Sequence, residues 1–293
     1  MKLFILTALT LGSHLLVAAS DDVRVLSMRG QVTARVGGKE LPLTSGSKLP
    51  MNARVVIGQG GYTALITSSG AMRELRHLGV HKIDTLFNGK ESSSTLSRVA
   101  KYVYTNAYEN QAATSEAGTV YRTHTVMPYW PPNLIVDTSV ITISWFPVRN
   151  YTGAYEFTIR DDSDSVLFTT KLADTTIGID VGSIAASYRG RCVYWTVQLE
   201  KDVATSSNPR CITLASKDDL QDLSIQMQEL QSICESHQEN SSGDMCRVLI
   251  GALYEEQGFY DRACKEYSSQ TRGESRAVAE ILLQNCLRRG REQ

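Results

Sequence analysis

Two groups of residues in this sequence have types and spacings that could bind a metal ion. His77 and His81 are four residues apart, as two zinc ligands on one helix would be, and three aspartates crowd into residues 161–164, where their oxygens could hold calcium. The histidine pair lacks the adjacent Glu of the zinc-protease motif, and its segment favours a strand. The acidic segment lacks the Gly and the final Glu of a calcium loop. We therefore predict solvated histidines and a hairpin tip, and no metal site.

Other familiar catalytic patterns are incomplete. No G-x-S-x-G motif marks an activated serine, and His124 stands alone. The glycine-rich segment 58–61 is not followed by the Lys and Ser/Thr of a phosphate-binding loop, so it predicts a turn. The sequence predicts no catalytic residue and no cofactor, and we expect a protein that is not an enzyme.

The first residues predict export. Lys2 provides a positive charge, residues 3–19 are mostly apolar, and small residues precede Asp21 and Asp22. This pattern is typical of a signal peptide, here residues 1–20; a retained membrane anchor is the alternative, although the apolar run is slightly short for one. We expect a periplasmic, cell-surface or extracellular protein with no transmembrane anchor after cleavage.

The balance of charged residues indicates which classes of partner to expect. Lys and Arg number 30 against 31 Asp and Glu, for a net charge of −1. A protein that binds nucleic acid or anionic lipid usually has a basic surplus, so we expect neither partner. All six cysteines lie in the last third of the chain: Cys192, Cys211, Cys234, Cys246, Cys264 and Cys286. In an exported chain they predict disulfides, with buried thiols as the alternative.

Residues 21–92 predict an all-β module, because short strand-like runs alternate with glycine turns. The recurring positions are Gly30, Val32, Gly37, Gly38, Leu43, Gly46, Leu49, Arg54, Val55, Ile57, Gly58, Ala64, Ile66, Ser69 and Gly70. Together they resemble the FecR-type domain, named after the periplasmic part of an iron-citrate signalling regulator. The resemblance implies a compact β-structure used for protein contact. Regulators of that family also carry a transmembrane helix and a cytoplasmic tail, which we do not identify here, so we do not expect sigma-factor regulation.

Residues 93–127 predict a helix followed by a linker. Apolar residues recur at helical spacing, and the serines at 92–94 are N-cap candidates. The predicted face consists of Leu96, Val99, Ala100, Val103, Tyr104, Ala107 and Tyr108. The proline-rich segment 128–132 is interpreted as a stiff connector.

Residues 128–215 alternate apolar and polar residues over strand lengths, which predicts a sandwich of about seven strands. Trp145, Tyr194 and Trp195 are expected to face inward. The positions Ile143, Trp145, Pro147, Val148, Tyr155, Phe157, Ile159, Tyr194, Trp195 and Val197 resemble the immunoglobulin and fibronectin type III-like sandwiches of bacterial envelope proteins. Such a domain implies a spacer or docking surface. Cys192 and Cys211 would flank its last hairpin, and we pair them.

Residues 216–293 predict an all-α region. Ser216 and Asp219 form a capping pair, and a narrow apolar seam follows at Leu220, Leu223, Met227, Leu230 and Cys234. A last helix over 274–288 is expected to end at Gly290 and to turn Ala277, Val278, Ile281, Leu282 and Cys286 inward.

Part of this region resembles one tetratricopeptide repeat. The matching residues are Ile250, Gly251, Tyr254, Gly258, Tyr260, Ala263 and Tyr267. Arg247 and Ser275 replace the usual Trp and Pro of the repeat. Cys246 and Cys264 lie on the two helices of the repeat, and the partners of Cys234 and Cys286 are left open.

These parts predict a multidomain chain of three separately cored pieces: an all-β module, a β-sandwich and a helical-hairpin region. The preferred hypothesis is a non-enzymatic envelope protein that binds another envelope protein or a peptide, with the helical region gripping the partner. The alternative is a cell-wall or glycan-binding protein in which Tyr129 and Trp130 form a stacking platform.

Overall fold

The computed structural model describes residues 22–88, 94–109, 126–130, 134–137, 140–236, 243–270 and 275–292. Two sheet-rich regions, one N-terminal and one in the middle of the chain, precede an all-helical C-terminal region, which confirms the predicted order of classes. The predicted signal peptide and His124 lie outside the described residues. Within those residues, no helix is both long and apolar enough to cross a membrane.

The N-terminal region consists of two antiparallel sheets of four strands each. Its elements are β1 (Val23–Arg29), β2 (Val32–Val36), β3 (Lys39–Pro42), β4 (Lys48–Leu49), β5 (Arg54–Ile57), β6 (Tyr62–Thr67), β7 (Met72–Leu75), β8 (Gly79–Lys82) and the helical turn α1 (Ile83–Leu86). The first sheet has the order β4-β1-β6-β7, and the second has the order β3-β2-β5-β8. Aliphatic side chains of both sheets, among them Val25, Val55 and Leu65, form one core.

Helix α2 (Thr95–Tyr104) follows and continues into a π-helical turn (Thr105–Glu109). The hydroxyl of Ser94 accepts a hydrogen bond from the Ser97 amide at 3.2 Å, which confirms the predicted N-cap. The buried residues lie along the predicted face: Val99, Ala100, Val103, Tyr104 and Ala107. This helix presents an apolar stripe that must be covered by other elements.

The middle region contains nine strands in the described residues. They are β9 (Met127–Trp130), β10 (Leu134–Val136), β11 (Val140–Phe146), β12 (Tyr155–Arg160), β13 (Val166–Leu172), β14 (Thr176–Asp180), β15 (Cys192–Leu199), β16 (Asp202–Ser206) and β17 (Arg210–Leu214), with the helical turn α3 (Val181–Ile184) before β15. One sheet has the order β10-β17-β15-β12-β13 with β16 beside β15, and the other has the order β14-β11-β9. Trp145 and Trp195 both stack near Phe157 in the core between the sheets.

Two predictions for this region were wrong. The predicted connector begins as strand β9, which pairs with β11; β9 is an edge strand, and an edge tolerates the missing amide of Pro128. Tyr194 is 40% exposed, because side chains alternate between the two faces of a strand and Trp195 already takes the inward position.

The C-terminal region contains helices α4 (Lys217–Ser236), α5 (Gly243–Glu256), α6 (Tyr260–Ser269) and α7 (Arg276–Glu292). The capping pair is confirmed: the Asp219 amide donates to the Ser216 hydroxyl at 3.1 Å, and the Ser216 amide donates to the Asp219 carboxylate at 3.0 Å. Helix α7 differs from the prediction in two ways. It continues through Gly290, and Ala277 is exposed whereas Ala279 is buried.

The helices do not have a core of their own, in contrast to the expected three separate cores. Leu26, Ala64 and Ile66 of the first sheet belong to the same hydrophobic cluster as α2 and the C-terminal helices. A register shift between Val25 and Ser27 of β1 accompanies this arrangement, with Val25 in the sheet–sheet core and Leu26 in the helical core. Strand β6 is therefore buried on both faces.

Gly70 tests how closely α2 lies against the first sheet. It has a φ of +92°, and a Cβ there would overlap the Ser97 carbonyl oxygen and lie 2.8 Å from the Cβ of Lys101. Gly60 has a φ of +66°, and a Cβ there would have no other heavy atom within 4 Å. Alanine at Gly60 therefore adds only the conformational cost of a positive φ. We expect Gly70→Ala to lower the free energy of unfolding by about 2 kcal/mol more than Gly60→Ala, because the extra methyl overpacks the contact. Urea unfolding measures this difference, and equal losses in the two variants would contradict the docking of α2.

Candidate functional site

The six cysteines form three disulfides. Cys192 is bonded to Cys211, the pair predicted from the sequence, with a Cα–Cα distance of 5.6 Å. The other bonds join Cys234 to Cys246 and Cys264 to Cys286, with Cα–Cα distances of 5.8 Å and 6.3 Å. The last two bonds link α4 to α5 and α6 to α7, so each cysteine of the repeat-like pair bonds to a flanking helix.

The residues of the repeat-like pair lie at the contact between α5 and α6. A Cβ at Gly251 would lie 2.6 Å from the ring of Tyr267, so only glycine allows this close approach. Tyr267 and Ala263 are fully buried, whereas Ile250 and Tyr254 are partly buried. Gly258 ends the turn between the two helices with a φ of +83°. These residues pack the helix pair, and none of them forms an open site.

A buried polar cluster beside this contact connects five helical elements: α2, the π-helical turn, α5, α6 and α7. It consists of Tyr102, Asn106, Glu255, Tyr267 and Arg289. The Glu255 carboxylate accepts from the Tyr267 hydroxyl at 2.8 Å and from the Arg289 guanidinium at 3.0 Å. The same guanidinium donates to the Tyr102 hydroxyl and to the Asn106 side-chain oxygen. One cation on α7 thereby holds α5, α2 and the π-helical turn together.

Burial governs the electrostatics of this buried polar cluster. The Glu255 side chain is fully buried, and burial raises its pKa, opposed by the positive charge of Arg289. Burial also raises the pKa values of Tyr102 and Tyr267, and the negative charge of Glu255 raises both further. A carboxylate with a raised pKa is a candidate for acid–base chemistry. Here, however, its oxygens are occupied by protein donors, so the cluster acts as a brace between helices.

The sequence offers no signal that would have found this buried polar cluster. Glu255 stands at the end of an apolar helical run, where a carboxylate is usually exposed, and its cation lies 34 residues away. The spacing that resembles a repeat indicates Tyr267, but it does not indicate which group accepts the hydrogen bond from the Tyr267 hydroxyl.

His81 and the aspartates of the acidic tip form hydrogen bonds or ion pairs within the chain. Residues 79–82 form a strand, as predicted, and His81 lies 2.8 Å from the backbone oxygen of His77. At the acidic tip, Asp161 accepts from the Ser163 and Ser165 amides at 2.9 Å and 2.8 Å, and Asp162 forms an ion pair with Arg191. Among the described residues, no three His, Cys, Asp or Glu side chains are placed to hold a metal ion.

An exposed face of the second N-terminal sheet carries two parallel rows of side chains. The basic row, on strands β2, β5 and β8, is Arg35, Arg54 and Lys82, and Arg54 is directly opposite both of the others. The apolar row, one pleat away, is Pro42, Val56 and Val80, with the polar Thr33 between Pro42 and Val56. Val80 is 50% exposed, and the neighbouring Leu78 is 68% exposed.

This face, which we call the two-row face, is the candidate interaction site. A charged row beside exposed aliphatic side chains is suited to contact with another macromolecule, because both kinds of surface are available without rearrangement. Sequence reasoning missed it, since the row forms only through the strand register. No family model matches this chain, and no curated protein matches it.

Proposed function

We propose that this chain is a non-enzymatic, exported protein of the cell envelope that binds another protein through the two-row face. The single observation that carries the proposal is the exposure of Val80 beside the basic row, with exposed Leu78 two residues before it in the chain. Apolar surface that is exposed next to polar residues is a feature of protein interaction sites. In this proposal the N-terminal module is FecR-like, the middle domain is immunoglobulin-like and the helix pair is a single tetratricopeptide-like repeat.

The three disulfides support export. Bonds of this kind persist in oxidising compartments and are rare in the cytosol. One of them lies within the middle sheet region and two lie between helices. The proposed location is therefore the periplasm, the cell surface or the extracellular space.

The two-row face is preferred over the helical region as the partner surface. Apolar residues of α5, including Val248 and Ala252, share a core with Val99 and Val103 of α2. Arg98 of α2 also forms an ion pair with Glu256 of α5 at 3.2 Å. Helix α2 thus covers the surface of α5 that these residues form.

Chemical cross-linking in intact cells followed by mass spectrometry tests this proposal. Lys82 lies in the basic row of the two-row face, whereas Lys171 and Lys201 lie on the middle region and serve as internal controls. We expect amine-reactive cross-links from Lys82 to one other protein, above the background at the two control lysines.

Two outcomes would contradict the proposal. If all cross-links of Lys82 stay within the chain, the two-row face does not bind another protein. Co-sedimentation with purified cell wall that is lost in Trp130→Ala would favour the glycan-binding alternative; the side chains of Tyr129 and Trp130 lie outside the described residues.

A further inference from the structure

The geometry points to the chemistry of the partner: we infer that the two-row face binds an acidic protein segment in which carboxylates flank an aliphatic side chain. This inference rests on the proposed function, because it names the partner class for the same face. Its support is the strand register, the position of the cations within the sheet and the side chains next to them.

The basic row places like charges next to each other. Arg35 is paired with Arg54 across β2 and β5, and Arg54 is paired with Lys82 across β5 and β8. Directly opposed side chains on one face of a sheet lie close together, so like charges there destabilise the sheet. Folding alone gives no reason to assemble three cations in one line. An anionic partner gives such a reason, because its negative charges attract all three cations.

Only part of this charge is neutralised within the chain. The Glu40 carboxylate accepts from the Thr33 hydroxyl at 2.7 Å and lies 3.4 Å from the Arg35 guanidinium, with both side chains of the ion pair about half exposed. The Thr33 hydrogen bond and the charge of Arg35 lower the pKa of Glu40, which keeps it ionised at neutral pH. In the described part of the chain, neither Arg54 nor Lys82 forms an ion pair with a carboxylate.

Protection of sheet edges does not explain the basic row. Charged side chains, especially lysine, commonly guard an exposed edge strand against pairing with other chains. Lys82 on β8 fits that explanation, since β8 is an edge strand. Arg35 and Arg54 do not fit it, because β2 and β5 are the two central strands.

The apolar row selects an acidic protein segment over other anions. Val56 and Val80 run parallel to the cations, and exposed Leu78 is two residues before Val80 in the chain. Single-stranded nucleic acid is held by aromatic side chains that stack on bases, and neither row contains an aromatic residue. A protein segment with alternating carboxylate and aliphatic side chains matches the two rows, which lie one pleat apart.

Fluorescence anisotropy with the full chain tests this inference. The probe is a labelled peptide of alternating glutamate and leucine, and its control is the same peptide with glutamine in place of glutamate. The test variant is Arg35→Gln/Arg54→Gln. The matched control variant is Arg160→Gln/Lys171→Gln, which removes the same charge from the exposed surface of the middle region.

We expect the Arg35→Gln/Arg54→Gln variant to bind the acidic peptide about tenfold more weakly, since two exposed charges typically contribute this much together. The control variant should bind as the original chain does, and added salt should weaken binding because it screens exposed charges. Urea unfolding should show that the test variant is folded, because the substitution relieves repulsion. Equal binding of the glutamine peptide, or unchanged affinity of the test variant, overturns the inference. Binding of a sulfated polysaccharide or an oligonucleotide in place of the peptide also overturns it.

Failure of this inference can be distinguished from failure of the proposed function. If cells that carry Arg35→Gln/Arg54→Gln still give the cross-links from Lys82, the two-row face binds a partner but not through carboxylates. If the original chain gives no cross-links to another protein, the proposed function itself is wrong.

Discussion

Replacing Tyr267 by alanine is expected to lower the free energy of unfolding by about 4 kcal/mol. The ring is fully buried against Gly251, and its hydroxyl donates to the buried Glu255 carboxylate at 2.8 Å. The substitution leaves a cavity and removes one donor from a buried charge, and both effects destabilise the fold. Urea unfolding followed by circular dichroism provides the measurement.

Tyr254→Ala is the matched control for this variant. Tyr254 lies on α5, one helical turn after Gly251, and its ring is only partly buried and meets Phe259 edge-on at 6.4 Å between ring centroids. We expect a loss of about 2 kcal/mol there, within the ordinary range for single substitutions. Tyr267→Phe separates the two effects, because it keeps the ring and removes the hydroxyl. A Tyr267→Ala loss no larger than that of Tyr254→Ala would contradict the central position assigned to this ring.

Replacing Arg289 by methionine is expected to lower the free energy of unfolding by about 3 kcal/mol at neutral pH. The guanidinium is the cation that faces the fully buried Glu255 carboxylate, at 3.0 Å. Its removal leaves a buried charge uncompensated, which is far more damaging than loss of an exposed pair. Arg276→Met is the control on the same helix, because Arg276 pairs with Glu280 at the surface, where the effect should be under about 1 kcal/mol.

The loss in Arg289→Met should shrink as the pH falls. Burial raises the pKa of Glu255 in the folded state, so the folded chain binds this proton at a higher pH than the unfolded chain does. Stability therefore decreases as the pH rises through this interval. Arg289 opposes this rise in the pKa of Glu255, so its removal widens the pH interval over which stability decreases. The difference in the free energy of unfolding between the variant and the original chain should therefore be smaller at about pH 5 than at about pH 7. A difference that does not change with pH, or a Glu255→Gln/Arg289→Met variant no more stable than Arg289→Met, would show that Glu255 is not the charge involved.

Features of the fold that depend on neighbours in sequence could be predicted. The Ser94 N-cap and the Ser216–Asp219 pair need residues only three positions apart. The buried face of α2 follows from its helical spacing. Gly251 and Tyr267, which meet where α5 packs on α6, were both selected from the sequence by their spacing.

Features that depend on distant pairings could not be predicted. The basic row needs the registers of β2 against β5 and of β5 against β8, and several registers are compatible with the alternation of these short strands. The buried polar cluster joins Tyr102 to Arg289, 187 residues apart. The strand at 127–130 was missed because prolines disfavour central strands, whereas this one lies at an edge.

The position of α2 also determines when, during synthesis, the hydrophobic core around it can be completed. Its apolar stripe is synthesised early, yet the helices that cover it come from the end of the chain, and Asn285 donates to the Asn106 carbonyl oxygen across 179 residues at 2.7 Å. Until the C-terminal helices arrive, α2 presents an uncovered apolar stripe, the condition in which nascent proteins aggregate or attract chaperones. The core around α2 is therefore completed only by the C-terminal region, so termination of synthesis before α5 leaves exposed an apolar surface that has already been made.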